Sequence, residues 1–260
     1  MKGAVAVLPD VLRSLLVFVL LLGAAFGALL LHERLPERHR QDDTLGIVRL
    51  LASSFVVMAA LVLGLLLNSA RNNFGAVESS VRIFATELLL LDHALLTLGP
   101  EAAPSRQLLA AYVRQALDGT WGDDHAPVVE DPRAEQLLMR LGAGLRALRP
   151  GDAVRMDDWR DAMQAYRSVV RHRWSLIEAS GAAVPRSLVR IVVAWLILIF
   201  ASFGYRAPRN AVVVVSLIVG AFLVSAAVYL VYDLSAPFQG VIRVSPEPLR
   251  SVLDHLRPGP

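Results

Sequence analysis

The side chains of this sequence that could do chemistry are few and scattered. Asp123, Asp124, His125, Glu130 and Asp131 form the one short run of hard donors, the types that hold calcium or zinc. Their spacing matches neither a calcium loop nor a zinc pattern, so a solvated loop is expected there. Asp92 and His93 adjoin on a helix flank, where an imidazole is by default a hydrogen-bonded surface group and, in the sharper alternative, a pH sensor. Ser53, Ser54 and Phe55 stand inside an apolar run. Hydroxyls and an apolar ring can line a pore that gates by dewetting, although such hydroxyls also bond back to their own helix. Gly142-Ala143-Gly144 lies in an amphipathic helix without the preceding strand of a phosphate loop, and reads as a packing feature. The sequence has no cysteine, which excludes thiolate nucleophiles, disulfides and Cys-based metal sites. No nucleophile set or carboxylate pair converges, so neither an enzyme nor a cofactor is expected.

The elements that must position these groups are dominated by lipid-compatible helices. Of the 260 residues 55% are hydrophobic, above the usual share of about 45–50% for a soluble domain. Mean hydropathy is +0.51. The excess concentrates in four runs, each near the roughly 20 residues a helix needs to cross a bilayer. The expected organisation is an N-terminal transmembrane hairpin at 1–69, with spans at about 12–31 and 47–68. A helical domain follows at 70–186, then a second hairpin at 187–234 with spans at about 188–206 and 210–232, then a turn and short helix at 235–260. The fold class is therefore an all-α membrane protein, two spans on each side of a helical bundle. Gly23 and Gly27, and likewise Ser216 and Gly220, are small-residue pairs that let helices approach, within one subunit or between subunits.

Four spans leave both termini and the central domain on one side of the bilayer. That side carries Lys2, Arg13, Arg71, Arg82, Arg171 and Arg190 among others, against Arg34, Arg38, Arg40, Arg49, Arg206 and Arg209 on the opposite side. The positive-inside rule then makes it cytoplasmic. Only Lys2 among the 26 basic residues is lysine, a usage typical of GC-rich bacterial genomes and consistent with an inner membrane. Net charge is +3 with acids and bases interspersed, so no nucleic-acid partner is expected. The centre of each span lacks ionisable residues, which argues against a carboxylate proton relay.

In the central domain, Phe74, Val77, Val81, Phe84, Leu88, Leu91, Leu95 and Leu98 step by three and four without interruption. This heptad seam extends back through Ala70, Leu67 and Leu63, so the second span is expected to continue as one long helix until Gly99-Pro100 stops it. Further helices are expected at about 104–118, stopped by Gly119, and from the cap Asp131 to Pro150-Gly151. A last one spans about 157–180, with Trp159, Met163, Tyr166, Val170, Trp174 and Ile177 at helical spacing as its apolar stripe. After the fourth span, Asp233, Pro237, Phe238, Gly240 and Ser245 punctuate a turn and cap, and Phe238 reads as an interfacial anchor.

That C-terminal segment resembles the signature of a bacterial membrane family, the domain of unknown function 4239, or bestrophin-like domain. Also similar to the family are Gly64 in Ala60-Leu-Val-Leu-Gly64, Asp92 in Leu90-Leu91-Asp92, Gly99-Pro100-Glu101 with Arg106, Trp174, and Phe203-Gly204 with Pro208 and Asn210. The resemblance covers most of the chain. It implies the two-plus-two architecture and, since bestrophins are pentameric anion channels with a cytoplasmic helical domain, a homo-oligomer that passes a small anion. The sequence departs from bestrophins in having Phe55 as the sole aromatic of its second span and no alignable acidic calcium clasp. Those departures leave no bestrophin site residue to transfer, and a membrane-anchored interaction or sensory module is the alternative.

Overall fold

A computed structural model describes residues 3–31, 42–122, 130–148, 150, 153–181, 185–205, 207–208 and 210–256. All regular structure among them is helical: α1 (Gly3–Leu31), α2 (Asp42–Thr97), a 3-10 turn at Pro100–Ala102, α3 (Ala103–Trp121), α4 (Pro132–Ala147), α5 (Ala153–Gly181), α6 (Arg186–Gly204), α7 (Ala211–Leu234) and α8 (Glu247–Leu256). The chain divides into two compact units, one of Gly3–Asn72 with Ala183–Ser235 and the other of Asn73–Ala182 with Ala236–Pro260.

Helices α1, α6 and α7 and the first part of α2 make the first unit. Segments Val11–Leu30, Ser187–Gly204 and Ala211–Leu234 are each long and apolar enough to cross a membrane, as is part of α2 within Ala52–Thr97. Helix α1 packs on both α6 and α7. Their core holds Leu21, Ala25, Val192, Leu196, Ala221 and Val228, to which α2 adds Ala59, Leu66 and Ala70. Asn210 begins α7 by accepting a hydrogen bond from the Val213 N–H at 2.8 Å, which satisfies one of the amides that a helix start leaves unpaired.

The small-residue pairs do not make the close contact in this unit. Gly23 and Gly27 are exposed, and a Cβ added at either would meet nothing within 4 Å among the described residues. The intimate crossing is at Gly204, where an added Cβ would lie 1.8 Å from the Ala25 carbonyl oxygen. Without a side chain, α6 rests backbone to backbone on α1. A Cβ added at Gly220 would lie at an ordinary 3.7 Å from the Phe200 ring, and Ser216 bonds back to the Val212 carbonyl at 2.8 Å.

The heptad seam closes inside the second unit. Val77, Val81, Leu88, Leu91 and Leu95 are wholly buried, together with Phe84, among residues of α3, α4, α5 and α8. Gly99 adopts φ 90° and ends α2, its carbonyl accepting from the Ala102 N–H, and Pro100 opens the 3-10 turn. A side chain at that φ is disfavoured, which is why glycine stands there.

Three expectations need correction. Helix α3 passes through Gly119 and ends at Gly122. The tertiary reason is Trp121, whose indole N–H donates to the Val244 carbonyl at 2.8 Å and whose ring meets Phe238 edge-on at 5.3 Å. Phe238 is accordingly not an interfacial anchor but a core residue of this unit, 8% accessible. On α5 the buried face runs Ala162, Met163, Val169, Arg173 and Leu176, leaving Trp174 53% exposed. Stepping by four from Tyr166 to Trp174 overshoots the 3.6-residue turn, so the true face is one residue earlier.

Helix α4 starts as expected at Asp131, whose carboxylate accepts from the Arg133 N–H at 2.8 Å, with Pro132 in the first turn. Burial pushes this carboxyl up, but the Gln115 amide, the Arg133 and Ala134 N–H groups and the Arg133 charge outweigh it and hold it below the ordinary aspartate value. A depressed carboxyl stabilises the fold above its unfolded pKa of about 4 and loses that contribution as pH falls through the lower folded value. Asp131→Ala is therefore expected to cost about 1 kcal/mol at neutral pH. The deficit relative to the parent should shrink as pH falls below about 4, as read from melting curves at each pH. A deficit constant down to acid pH would count against the cap's charge.

Tyr166 closes the contact of α5 with α4. It lies over Gly142, where an added Cβ would meet its hydroxyl at 2.3 Å, and donates to the Leu138 carbonyl at 3.1 Å. The Trp159 indole donates to the Leu145 carbonyl at 2.7 Å. The Gly142-Ala-Gly144 segment is thus a packing surface.

Candidate functional site

In the first unit, the fully buried residues of α2 from Ala52 onward are a line of small and apolar side chains, Ala52, Ala59, Leu66 and Ala70. Val62, Leu63 and Leu67, half-buried, also pack against the core of this unit. Ser53, Ser54 and Phe55 are all exposed, Phe55 by 46%. From Ser54 the steps of three and four reach Met58, Leu61, Leu65 and Asn68, every one exposed. Gly64 lies beside this stripe, exposed and with nothing within 4 Å of an added Cβ. The stripe starts at hydroxyls, ends at a carboxamide and exposes Met58, Leu61 and Leu65 between them. It is suited to face lipid, a second subunit or a narrow aqueous path, and it carries no charge that would fix an ion by pairing.

The part of α2 in the second unit has an outward face with the same stepping. Ile83, Thr86, Leu90, His93 and Thr97 are exposed opposite the seam. His93 is thus a surface histidine. Beside it Asp92 points inward, 6% accessible, and accepts two hydrogen bonds from Arg106 of α3, at 2.6 Å from Nε and 3.2 Å from the second guanidinium nitrogen. This fork spans the Gly99-Pro100 corner, so the motif residues Asp92, Gly99, Pro100 and Arg106 assemble into one structural clamp. Glu101, in the same turn, pairs with Arg155 at 3.0 Å on the surface.

The other motif residues are dispersed. Gly204 makes the α1 crossing, and the exposed Pro208 gives its carbonyl to the Asn210 N–H at 2.9 Å. Asp233 is wholly buried near the end of α7 and accepts from the Tyr229 hydroxyl at 3.3 Å. In the second unit Pro237 accepts from the Val244 N–H at 2.8 Å, closing the turn in which Gly240 takes φ 87°. Ser245 accepts from the Glu247 N–H at 3.2 Å and so caps α8. The acidic run at Asp123, Asp124 and His125 lies outside the described residues; among those described, no cluster of donors suits a metal.

Sequence reasoning missed Arg173. It lies 7% accessible inside the second unit, donating to the Asp131 carbonyl at 3.5 Å. The signal was present: Ala162, Tyr166, Val169, Arg173 and Leu176 keep helical spacing, but an arginine on an apolar face is easily shifted in register onto its tryptophan neighbour.

Helices long and apolar enough for a bilayer, joined to helical structure throughout, define an integral membrane protein of the all-α class. The sequence matches the bestrophin-like domain over residues 19–249, and the chain belongs to the bestrophin-like family. Among solved structures, it is similar to a bacterial bestrophin homologue from Klebsiella pneumoniae, determined as a tryptophan-to-alanine variant. That similarity has a TM-score of 0.50 at 15% sequence identity, over 95% of this chain and 94% of the other, and it establishes a shared fold. No curated protein sequence matches this chain significantly.

Proposed function

We propose that this chain forms a homo-oligomeric ion channel or transporter of the bacterial inner membrane, passing a small anion. In this reading α1, the first part of α2, α6 and α7 are the four spans, arranged two and two. The second unit and both termini lie in the cytoplasm. The observation that carries it is the outward face of α2, where Ser53, Ser54, Phe55, Met58, Leu61 and Leu65 are exposed on a helix belonging to a membrane protein. Copies of α2 brought together about a common axis would place hydroxyls and apolar side chains around a narrow path, the lining of a pore that opens by wetting. Gly64 and the exposed pair Gly23 and Gly27 would then serve contact between subunits rather than within one. The membership in the bestrophin-like family supports the same reading.

The test is flux from purified protein in liposomes, together with its stoichiometry in detergent. An oligomer of several subunits with anion flux is expected, and Phe55→Ala, which removes the largest side chain of the stripe, is expected to raise flux by about tenfold, as for removal of a constriction of roughly 1.4 kcal/mol. A well-folded monomer or dimer that passes no ion in any buffer would replace this reading with a membrane-anchored interaction module.

A further inference from the structure

The second unit buries a guanidinium that no carboxylate of the described residues pairs with. Arg173 is 7% accessible on α5, and among the described residues its one hydrogen bond is the long one, 3.5 Å, to the Asp131 carbonyl. The nearby carboxylate does not serve it: Asp131 is engaged by the Gln115 amide at 2.6 Å and the Arg133 N–H at 2.8 Å. No carboxylate of the described residues lies within 4.0 Å of Arg173. A buried ion left so costs several kcal/mol, and a guanidinium has five N–H donors to satisfy.

The same guanidinium lines a cavity of about 30 Å³ with Tyr112, Thr120, Trp121 and Asp131. Tyr112 is 1% accessible and lines the same cavity. Burial pushes that phenol up, against the opposing charge of Arg173, so it remains an O–H donor throughout the physiological range. A cavity of this size admits one species about as large as a water molecule. Donor type and volume agree on a small monovalent anion beside the Arg173 charge; phosphate or a carboxylic acid is too large.

We propose that the second unit binds one halide-sized monovalent anion between Arg173 and Tyr112, as an internal counter-ion within a single chain. The site is built from the second unit alone and holds whether or not the outward face of α2 lines a pore. Its occupancy couples the stability of the helical unit to halide concentration, because a ligand bound only by the folded state raises the melting midpoint.

Full-length protein melted in sodium chloride or bromide, against sodium gluconate at equal ionic strength, reads this directly. A midpoint higher by about 3 °C in halide is expected, from a site filled to roughly ten times its dissociation constant. Y112F should lose part of that difference and R173M all of it. Crystals of the parent protein grown in bromide should show an anomalous peak beside Arg173, a result that does not depend on either variant folding. Equal midpoints in halide and gluconate, or a cavity holding only water in bromide crystals, would overturn the proposal.

Discussion

Replacing Gly204 with valine is expected to prevent α1 and α6 from packing, with a loss of more than about 3 kcal/mol and a sharp fall in the yield of folded protein. The reason is the absence of any space. A Cβ there would sit 1.8 Å from the Ala25 carbonyl oxygen and 2.6 Å from the carbonyl carbon. These are backbone atoms, which cannot swing aside as a side-chain end can. The helices would have to separate along a seam that includes Leu21, Ala25, Val192 and Leu196, and every dispersion contact across it would weaken together. Between apolar helices in lipid, close packing takes the place of the hydrophobic drive, so the cost falls on the main source of association. Gly220→Ala is the matched control, since its Cβ would meet only a Phe200 ring atom at an ordinary 3.7 Å. Both variants should be compared by thermal unfolding in detergent; a Gly204 variant as stable as the Gly220 one would refute the crossing.

Asp92→Ala is expected to destabilise the second unit by about 2 kcal/mol. Removing the carboxylate strands the Arg106 guanidinium in a partly desolvated place. The cost stays below that of a fully buried pair because the Arg106 side chain retains 28% of its exposure, against 9% for Asp92. Replacing both partners, as Asp92→Leu with Arg106→Met, should recover more than half of the loss, because no charge is then left unpaired. The double-mutant cycle, measured by denaturant unfolding, should give a coupling of about 1–2 kcal/mol. Additive single effects would mean that the fork contributes only through side-chain packing. The position matters beyond stability: the fork braces the Gly99-Pro100 corner at which the long α2 hands over to α3.

Much of this molecule is visible in one dimension. The apolar runs are a matter of length and hydropathy, and both survive without knowledge of any neighbour. The seam from Val77 to Leu95 is equally local, because a helix keeps one face through repeated steps of three and four whatever packs against it. Gly99-Pro100 and Asp131-Pro132 punctuate helices for backbone reasons that act within a turn. Asp92 and Arg106 both stand in the family's motifs, but their pairing was decided by the Gly99-Pro100 corner that brings α3 beside α2.

What the sequence could not decide was which of several chemically equivalent choices the neighbours would select. Gly23, Gly27 and Gly204 are all glycines in apolar helices, but only Gly204 meets another backbone, since the crossing point depends on where two helices touch. Gly119 is a legitimate helix stop that α3 ignores, because the edge contact and hydrogen bond of Trp121 lie more than a hundred residues away in sequence. Arg173 and Trp174 are adjacent on α5, and hydrophobicity favours burying the tryptophan. The tertiary structure buries the arginine instead, beside Tyr112 and Asp131, and leaves Trp174 outside. Periodicity thus determined the helices and their general faces, while contacts between distant segments decided which residue of each face is enclosed and hence where a charge lies buried.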